Sequence, residues 1–303
     1  MTRRLFVLIL MLTITAIGYA QQDPLYSQYI NNPFVLNPAY AGLTNNLNIA
    51  VSYRQQWTGL EGGPKTFNAN GHISLFDNKM GAGLMFISDR VGAATVNEAY
   101  GSYSYRIQIT GDKTLSFGLQ MGMVNYQFDN SKVNPANPAD PLYTGWNETK
   151  PSLGAGVILK NDKFFVGLSV PRMLKSTLST GGMQSTLYTQ HFYLMGSYLF
   201  FIADRIHLKP SALLKLVSGA PASVDLNASL IFLENYSAGV LTRNFNTYGL
   251  FLQAIVKDKF RFGYVFELPT GKSVGSNFIT HEITVGFRMN ALRFHDNRAI
   301  MSF

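Results

Sequence analysis

Cysteine is absent from the 303 residues. Its absence removes disulfide staples, thiol nucleophiles and thiolate metal sites from consideration. Charge is scarce as well: Asp, Glu, Lys and Arg make up 14% of the chain, against about a quarter in ordinary soluble domains. Long apolar runs are missing too. The run from Leu5 to Ile17 falls short of the roughly 20 residues a membrane helix needs. Mean hydropathy is barely positive, so a bundle of membrane helices is excluded. The formal net charge of +8 is dispersed without Lys/Arg blocks, which argues against a nucleic-acid partner. What the chain does have is glycine and aromatics: 27 Gly, 22 Phe and 16 Tyr.

The amino terminus reads as an export signal. Arg3 and Arg4 precede the Leu5–Ile17 run, and Gly18-Tyr19-Ala20 places small residues at both positions that a signal peptidase reads. Residues 1–20 are therefore expected to be removed before Gln21. The remaining chain is apolar and charge-poor yet has no membrane helix. A closed β-barrel is the other structure that satisfies every backbone group in lipid.

From Leu47 to Met289 the period is two. Ile283, Val285, Phe287 and Met289 alternate with Thr284, Gly286 and Arg288; Leu115, Phe117, Leu119, Met121 and Met123 alternate with Ser116, Gly118, Gln120 and Gly122. One face suits lipid and the other a polar lumen. Tight polar turns are expected at 77–79, 111–113, 161–163, 203–205, 234–235 and 257–259. Longer loops are expected near 54–65, 88–95, 129–149, 171–187, 218–222, 243–247 and 269–280. Short and long connections thus alternate, as in outer-membrane barrels. The expectation is an all-β protein: a transmembrane antiparallel β-barrel of about fourteen strands over residues 45–290, with an irregular periplasmic or plug segment at 21–44 and a tail at 291–303. Tyr53, Phe76, Tyr105, Tyr126, Tyr188, Phe200, Phe201, Tyr236 and Tyr248 fall near strand ends, where aromatic girdles sit.

Catalytic chemistry finds little support. His72 and Ser74 share a strand face, but no third residue at a telling spacing completes a nucleophile–base set. Gly271-Lys272-Ser273 resembles the end of a phosphate loop, yet the glycine required five positions earlier is Phe266. Asp129, Asn130, Asn134, Asn137 and Asp140 supply oxygens without the spacing of a helix–loop–helix calcium site. Arg106, Arg243, Arg261, Glu267 and Arg288 face the expected lumen and read as a charged plug network. No cofactor is implied.

Residues 21–44 break the strand rhythm, since Asn32-Pro33 and Asn37-Pro38 interrupt any ladder. Gln22-Asp23-Pro24, Tyr26-Ser27-Gln28-Tyr29, Asn32-Pro33 and Asn37-Pro38-Ala39-Tyr40-Ala41-Gly42 resemble the opening of the PorP/SprF family of type IX secretion system membrane proteins. The likeness continues at Arg54-Gln55-Gln56-Trp57, Gly62-Gly63-Pro64-Lys65-Thr66, Asp89-Arg90-Val91-Gly92, Tyr103-Ser104-Tyr105-Arg106 and Gly167-Leu168-Ser169-Val170-Pro171. One departure is the carboxyl terminus, where Phe303 follows a polar tail from Arg293 to Arg298. The tail is periplasmic, or the insertion signal is the Phe287 strand.

The resemblance implies a non-enzymatic barrel of the Gram-negative outer membrane, embedded in outer-membrane lipid. It implies support for export or surface attachment of a secreted, adhesin-like client, including gliding adhesins. The implied partners are other type IX secretion components, among them periplasmic cell-wall-binding proteins. The matching motifs nominate Asp23, Pro24, Tyr26, Gln28, Tyr29, Asn32, Pro33, Asn37, Pro38, Tyr40 and Trp57 as partner-binding. A passive porin or small-solute channel is the alternative.

Overall fold

A computed structural model describes residues 27–133, 145–180, 183–270 and 278–295. Three short 3-10 turns, Gln28–Ile30, Pro33–Val35 and Pro38–Tyr40, precede the sheet. The strands are β1 (Leu47–Gln55), β2 (Lys65–Leu75), β3 (Met80–Val91), β4 (Ala94–Thr110), β5 (Lys113–Phe128), β6 (Trp146–Lys160), β7 (Phe164–Val170), β8 (Ser176–Thr180) and β9 (Met183–Tyr188). They continue with β10 (His191–Tyr198), β11 (Phe200–Ala203), β12 (Ile206–Val217), β13 (Ser223–Phe232), β14 (Tyr236–Arg243), β15 (Thr247–Val256), β16 (Phe260–Pro269) and β17 (Thr280–Met289).

Successive strands pair antiparallel around a closed wall. β8 and β9 form a hairpin of their own between β7 and β10. β10 pairs with both β7 and β12, and β11 continues the same stave beyond Leu199. The wall therefore has fourteen staves. The first and last close it in a ladder from Leu47↔Met289 to Gln55↔His281. Closure leaves no unpaired row of backbone groups at an edge, which lipid would not tolerate.

The side chains are arranged inside out relative to a soluble protein. On β5, Leu119 and Met121 are 64% and 66% exposed while Gln120 between them is 3% exposed. On β1, Ile49, Val51 and Tyr53 point outward and Asn48, Ser52 and Arg54 are buried. In water such an apolar exterior would carry a penalty of about 25 cal/mol per Å²; lipid removes it.

The two ends of the barrel differ. At one end lie the tight connections 76–79, 111–112, 161–163, 204–205, 233–235 and 257–259, together with the start of β1 and the end of β17. Phe76, Asp77, Asn78, Leu233, Glu234, Lys257 and Asp258 all have φ between 50° and 64°, the left-handed twist that tight hairpins require. The tail begins at this end: His295 Nδ1 accepts from the Ala291 and Leu292 N–H groups, and its Nε2 hydrogen-bonds the Ser74 carbonyl at 2.8 Å. Residues 296–303 lie outside the described part, as do residues 1–26 with the expected export signal.

Two of the seven expected loops at the opposite end are not loops. β3 and β4 meet over Gly92-Ala93, with pairing maintained to Val91↔Ala94. β14 and β15 turn tightly on Asn244-Phe245-Asn246, where Asn244 and Phe245 have φ of 49° and 55°. The polar residues Asp89, Arg90 and Asn97 stay in the ladder, opposite Val96, Thr95 and Ser88. The strict alternation of short and long connections is corrected accordingly. Two girdle assignments are corrected as well. Tyr126 and Tyr188 are 4% exposed and point inward; Tyr126 has the parity of Ser116 and Gln120. Tyr53, Phe76, Tyr105, Phe200, Phe201, Tyr236 and Tyr248 are exposed.

Candidate functional site: a plugged lumen

Residues 27–46 occupy the lumen. Each of two Asn-Pro pairs starts a 3-10 turn with proline at its first position, where the missing N–H costs nothing and the fixed φ suits the turn. Asn37 caps the second of these: its Oδ1 accepts the Ala39 N–H at 3.0 Å. Its Nδ2 meanwhile donates to the Leu168 and Val157 carbonyls at 3.0 and 3.3 Å, tying the segment to β7 and β6. Asn32 makes no cap of its own and donates instead to Asn70 on β2, at 2.9 Å.

Irregular backbone within a membrane barrel must find partners among the inward side chains. Ser169, Ser116 and Ser104 each donate a hydroxyl at 2.7 Å, to the carbonyls of Leu36, Ala39 and Ala41 respectively. Arg261 donates to Asn31 O at 3.0 Å and Arg106 to Asn45 Oδ1 at 2.9 Å. The Gly42 N–H donates to His72 Nδ1 at 3.0 Å, so that nitrogen carries no proton. His72 also lies edge-on to Phe34 and Tyr40. Ser74 accepts from Arg106 and donates to Asn78. The His72–Ser74 pair is thus absorbed in holding the segment and the turn below it.

Apolar packing completes the fit. Tyr29, Ile30, Phe34, Val35, Leu36, Ala39, Tyr40 and Leu43 form one buried cluster with wall residues including Met85, Tyr100, Val124, Ile158, Phe165 and Leu213. The wall gives way where the segment presses on it. A Cβ on Gly118 would fall 2.1 Å from the Ala39 nitrogen, and one on Gly156 would fall 2.1 Å from Asn37 Oδ1. Both contacts are far inside van der Waals distance, so these positions exclude any side chain.

Toward the loop end the lumen is crossed by an ion network. Arg54 pairs with Glu267 at 2.6 Å and Glu282 at 3.0 Å. Arg243 pairs with Asp225 at 3.2 Å and Glu267 at 3.6 Å, and Lys215 reaches Asp225 at 2.8 Å. Three cations face three carboxylates. The Ser27 N–H donates to Glu282 at 3.0 Å and its hydroxyl donates to Glu267. Of the five charged residues expected to form a lumen network, Arg243 and Glu267 belong to this one. Arg106, Arg261 and Arg288 are buried elsewhere and donate to carbonyl, amide or hydroxyl oxygens, Arg288 to Asp258 O at 2.8 Å. Arg54, Lys215, Asp225 and Glu282 were not singled out as charged lumen residues, though each shares strand parity with polar inward neighbours.

The connection after β7 folds over the same end. Gln120 donates to Pro171 O at 2.9 Å and the Met173 N–H to Leu153 O at 2.7 Å. Arg172 pairs with Glu98 at 3.2 Å and lies 3.7 Å over the Tyr188 ring.

Of the nominated partner-binding residues, Tyr29, Asn32, Pro33, Asn37, Pro38 and Tyr40 come together inside the barrel and are buried against the wall. Gln28 opens the first turn. Trp57 stands apart in the β1–β2 loop at φ 55°, with its backbone N–H donating to Thr280 Oγ1 at 3.3 Å. Asp23, Pro24 and Tyr26 lie outside the described residues, as does the Gly271-Lys272-Ser273 stretch. In the oxygen-rich loop, Asp129 caps the short turn Asn130–Lys132 and pairs with Lys132 at 3.0 Å. These hydrogen bonds from Ser131 and Lys132 hold its carboxyl below the usual range. Asn134, Asn137 and Asp140 lie outside the described part. Among the described residues no cluster of three or more His, Asp or Glu could hold a metal.

Solved structures share the fold at low identity. CymD, a monoaromatic hydrocarbon channel, aligns with a TM-score of 0.53 at 11% identity over 93% of this chain and 100% of its own. The Ralstonia pickettii toluene transporter TbuX aligns with a TM-score of 0.50 at 10% identity over 84% and 92%. At such identity the likeness concerns the barrel alone. No curated protein matches in sequence. The family model for type IX secretion system membrane protein PorP/SprF matches residues 18–287, which takes in the plug and nearly all of the wall, and the chain therefore belongs to the PorP/SprF family of type IX secretion system membrane proteins.

Proposed function

We propose that this protein serves type IX secretion as a filled outer-membrane barrel that works by protein–protein contact. Its loops hold or hand over an exported, adhesin-like client, and its turn end meets other secretion components, including those that bind the cell wall. The observation that carries this reading is the occupied lumen: residues 27–46 pack and hydrogen-bond through its length. A barrel built to pass small solutes keeps an open path; this one spends its inward side chains on holding polypeptide. A role in gliding adhesin display follows where the client is such an adhesin. Residues 1–20 are the export signal on this reading, cleaved before Gln21.

Deleting residues 23–42 should leave insertion of the wall intact, because the strand ladder closes without them, and abolish surface display of the client. Unchanged display by an inserted deletion variant would overturn the proposal.

A further inference from the structure

We propose that the outward face of β2–β4 holds a phosphate-bearing membrane lipid, its headgroup between Lys65 and Arg90 and its acyl chains in the furrow beneath them. Such a site needs only a lipid-facing exterior. It is independent of the client and of what fills the lumen.

The ladder registers of β1 to β5 align Ile49, Gly71, Leu84, Gly101 and Met121 in one row across the wall. The row faces outward, and Leu84 is 72% exposed. The next row toward the loop end repeats the order, with Ala69 and Ala99 on either side of Phe86. Two troughs therefore run along β2 and β4, with Leu84 and Phe86 as the ridge between them. The furrow they form measures about 1520 Å³, above the roughly 300–1,000 Å³ of ordinary small-molecule sites, and suits more than one acyl chain. Neither the backbone nor the plug demands glycine on its floor. A Cβ on Gly101 would meet nothing nearer than the tip of Leu84 at 4.0 Å, and one on Gly71 nothing nearer than 3.4 Å. Glycine weakens a strand, so these two positions keep outward space open at the expense of the ladder.

The troughs lead to a pair of cations. Lys65 and Arg90 stand directly opposite each other in the β2–β3 ladder. Both are exposed, with the outward parity of Phe67 and Phe86. Four residues, about 13 Å along a strand, separate them from Ala69 and Phe86. Their other ladder neighbours are neutral, Gln55 beside Lys65 and Thr95 beside Arg90. Asp89 lies on the lumen side, where it accepts the Thr66 hydroxyl. Like charges directly opposite each other destabilise a ladder. A phosphate between them removes that cost and takes charge-assisted hydrogen bonds from both. Cations at the loop end, with apolar troughs running from them along the lipid-facing wall, match a phosphorylated headgroup and its chains. A second barrel or an apolar peptide would cover the troughs and leave the two cations opposed.

The full-length protein, purified in a non-ionic detergent, is titrated with dioleoyl phosphatidic acid and binding is read by native mass spectrometry. Dioleoylglycerol is the phosphate-free comparison and glycerol phosphate the chain-free one. Saturable binding of phosphatidic acid, matched by neither comparison, is the expected result. Lys65→Gln with Arg90→Gln should weaken it about tenfold and leave dioleoylglycerol unaffected. Gly71→Leu with Gly101→Leu should weaken both lipids. Heat-modifiable gel migration checks that each variant is a closed barrel, and the single variants Lys65→Gln and Gly101→Leu carry the test where a double variant does not close. Equal binding of phosphatidic acid by the wild type and the Lys65/Arg90 variant overturns the proposal. Equally strong binding of glycerol phosphate overturns it in favour of a free-phosphate site. A wild-type dimer that Gly101→Leu dissociates overturns it in favour of a contact between copies. None of these outcomes bears on client display, which the deletion of residues 23–42 tests separately.

Discussion

Two glycines and three serines show how single residues decide what fills this barrel. Gly118 and Gly156 leave the space into which Ala39 and Asn37 press, and Ser104, Ser116 and Ser169 supply hydroxyls to carbonyls that have no ladder partner. Gly156→Val would force Asn37 from its cap and from its bonds to Val157 and Leu168. Overpacking of this kind costs about 1–3 kcal/mol. The variant should insert normally and lose that much stability in denaturant unfolding from lipid vesicles, with the N-terminal segment cleaved faster by added protease. Wild-type protection of the segment would contradict the assigned contact. The inward parity of these residues is legible in sequence, because Ser116, Gly118 and Gln120 alternate with Phe117, Leu119 and Met121. Their partners are not legible: nothing local to Ser169 names Leu36, which lies far away along the chain.

Elements behave differently from the pattern that announces them. Period-two alternation located the staves because lipid and lumen impose opposite chemistry on alternate residues. It placed strand ends poorly at β3 and β4, where polar residues stay paired up to Val91↔Ala94. It also missed the β8–β9 hairpin and the infolded stretch at Pro171–Met173, the latter set by contacts with β4, β5 and β6. The Asn-Pro segment was legible as a departure from strand structure, and its two prolines do start 3-10 turns. The route it takes through the lumen depends on fourteen strands meeting around it. Arg172 ties the infolded connection to the wall through Glu98 and to the β8–β9 hairpin through the Tyr188 ring. Truncating one member of a buried ion pair leaves the other unpaired, at a cost of about 3–5 kcal/mol. Arg172→Ala should therefore free the connection after β7, giving cleavage within 171–190 by protease added to intact cells at concentrations that spare the wild type. Equal resistance would show that the hairpin holds the connection without Arg172.

At the scale of the whole molecule, stave number explains why a plug is present. About eight strands enclose a space that side chains alone fill, and about sixteen to eighteen leave an aqueous channel. Fourteen leaves more room than inward Ser, Asn and Arg side chains occupy, and residues 27–46 take it up. The apolar core of this protein is thus its lumen, built around one irregular segment, while its apolar exterior belongs to lipid. Fold neighbours described as a monoaromatic hydrocarbon channel and a toluene transporter share the wall at 10–11% identity, which carries nothing about what the interior holds. The most direct measurement is single-channel conductance of the full-length protein in a planar bilayer, compared with a variant lacking residues 23–42. A filled barrel predicts no resolved conductance steps from the full-length protein and stable steps from the deletion variant. Stable, ion-conducting steps from the full-length protein would contradict the account.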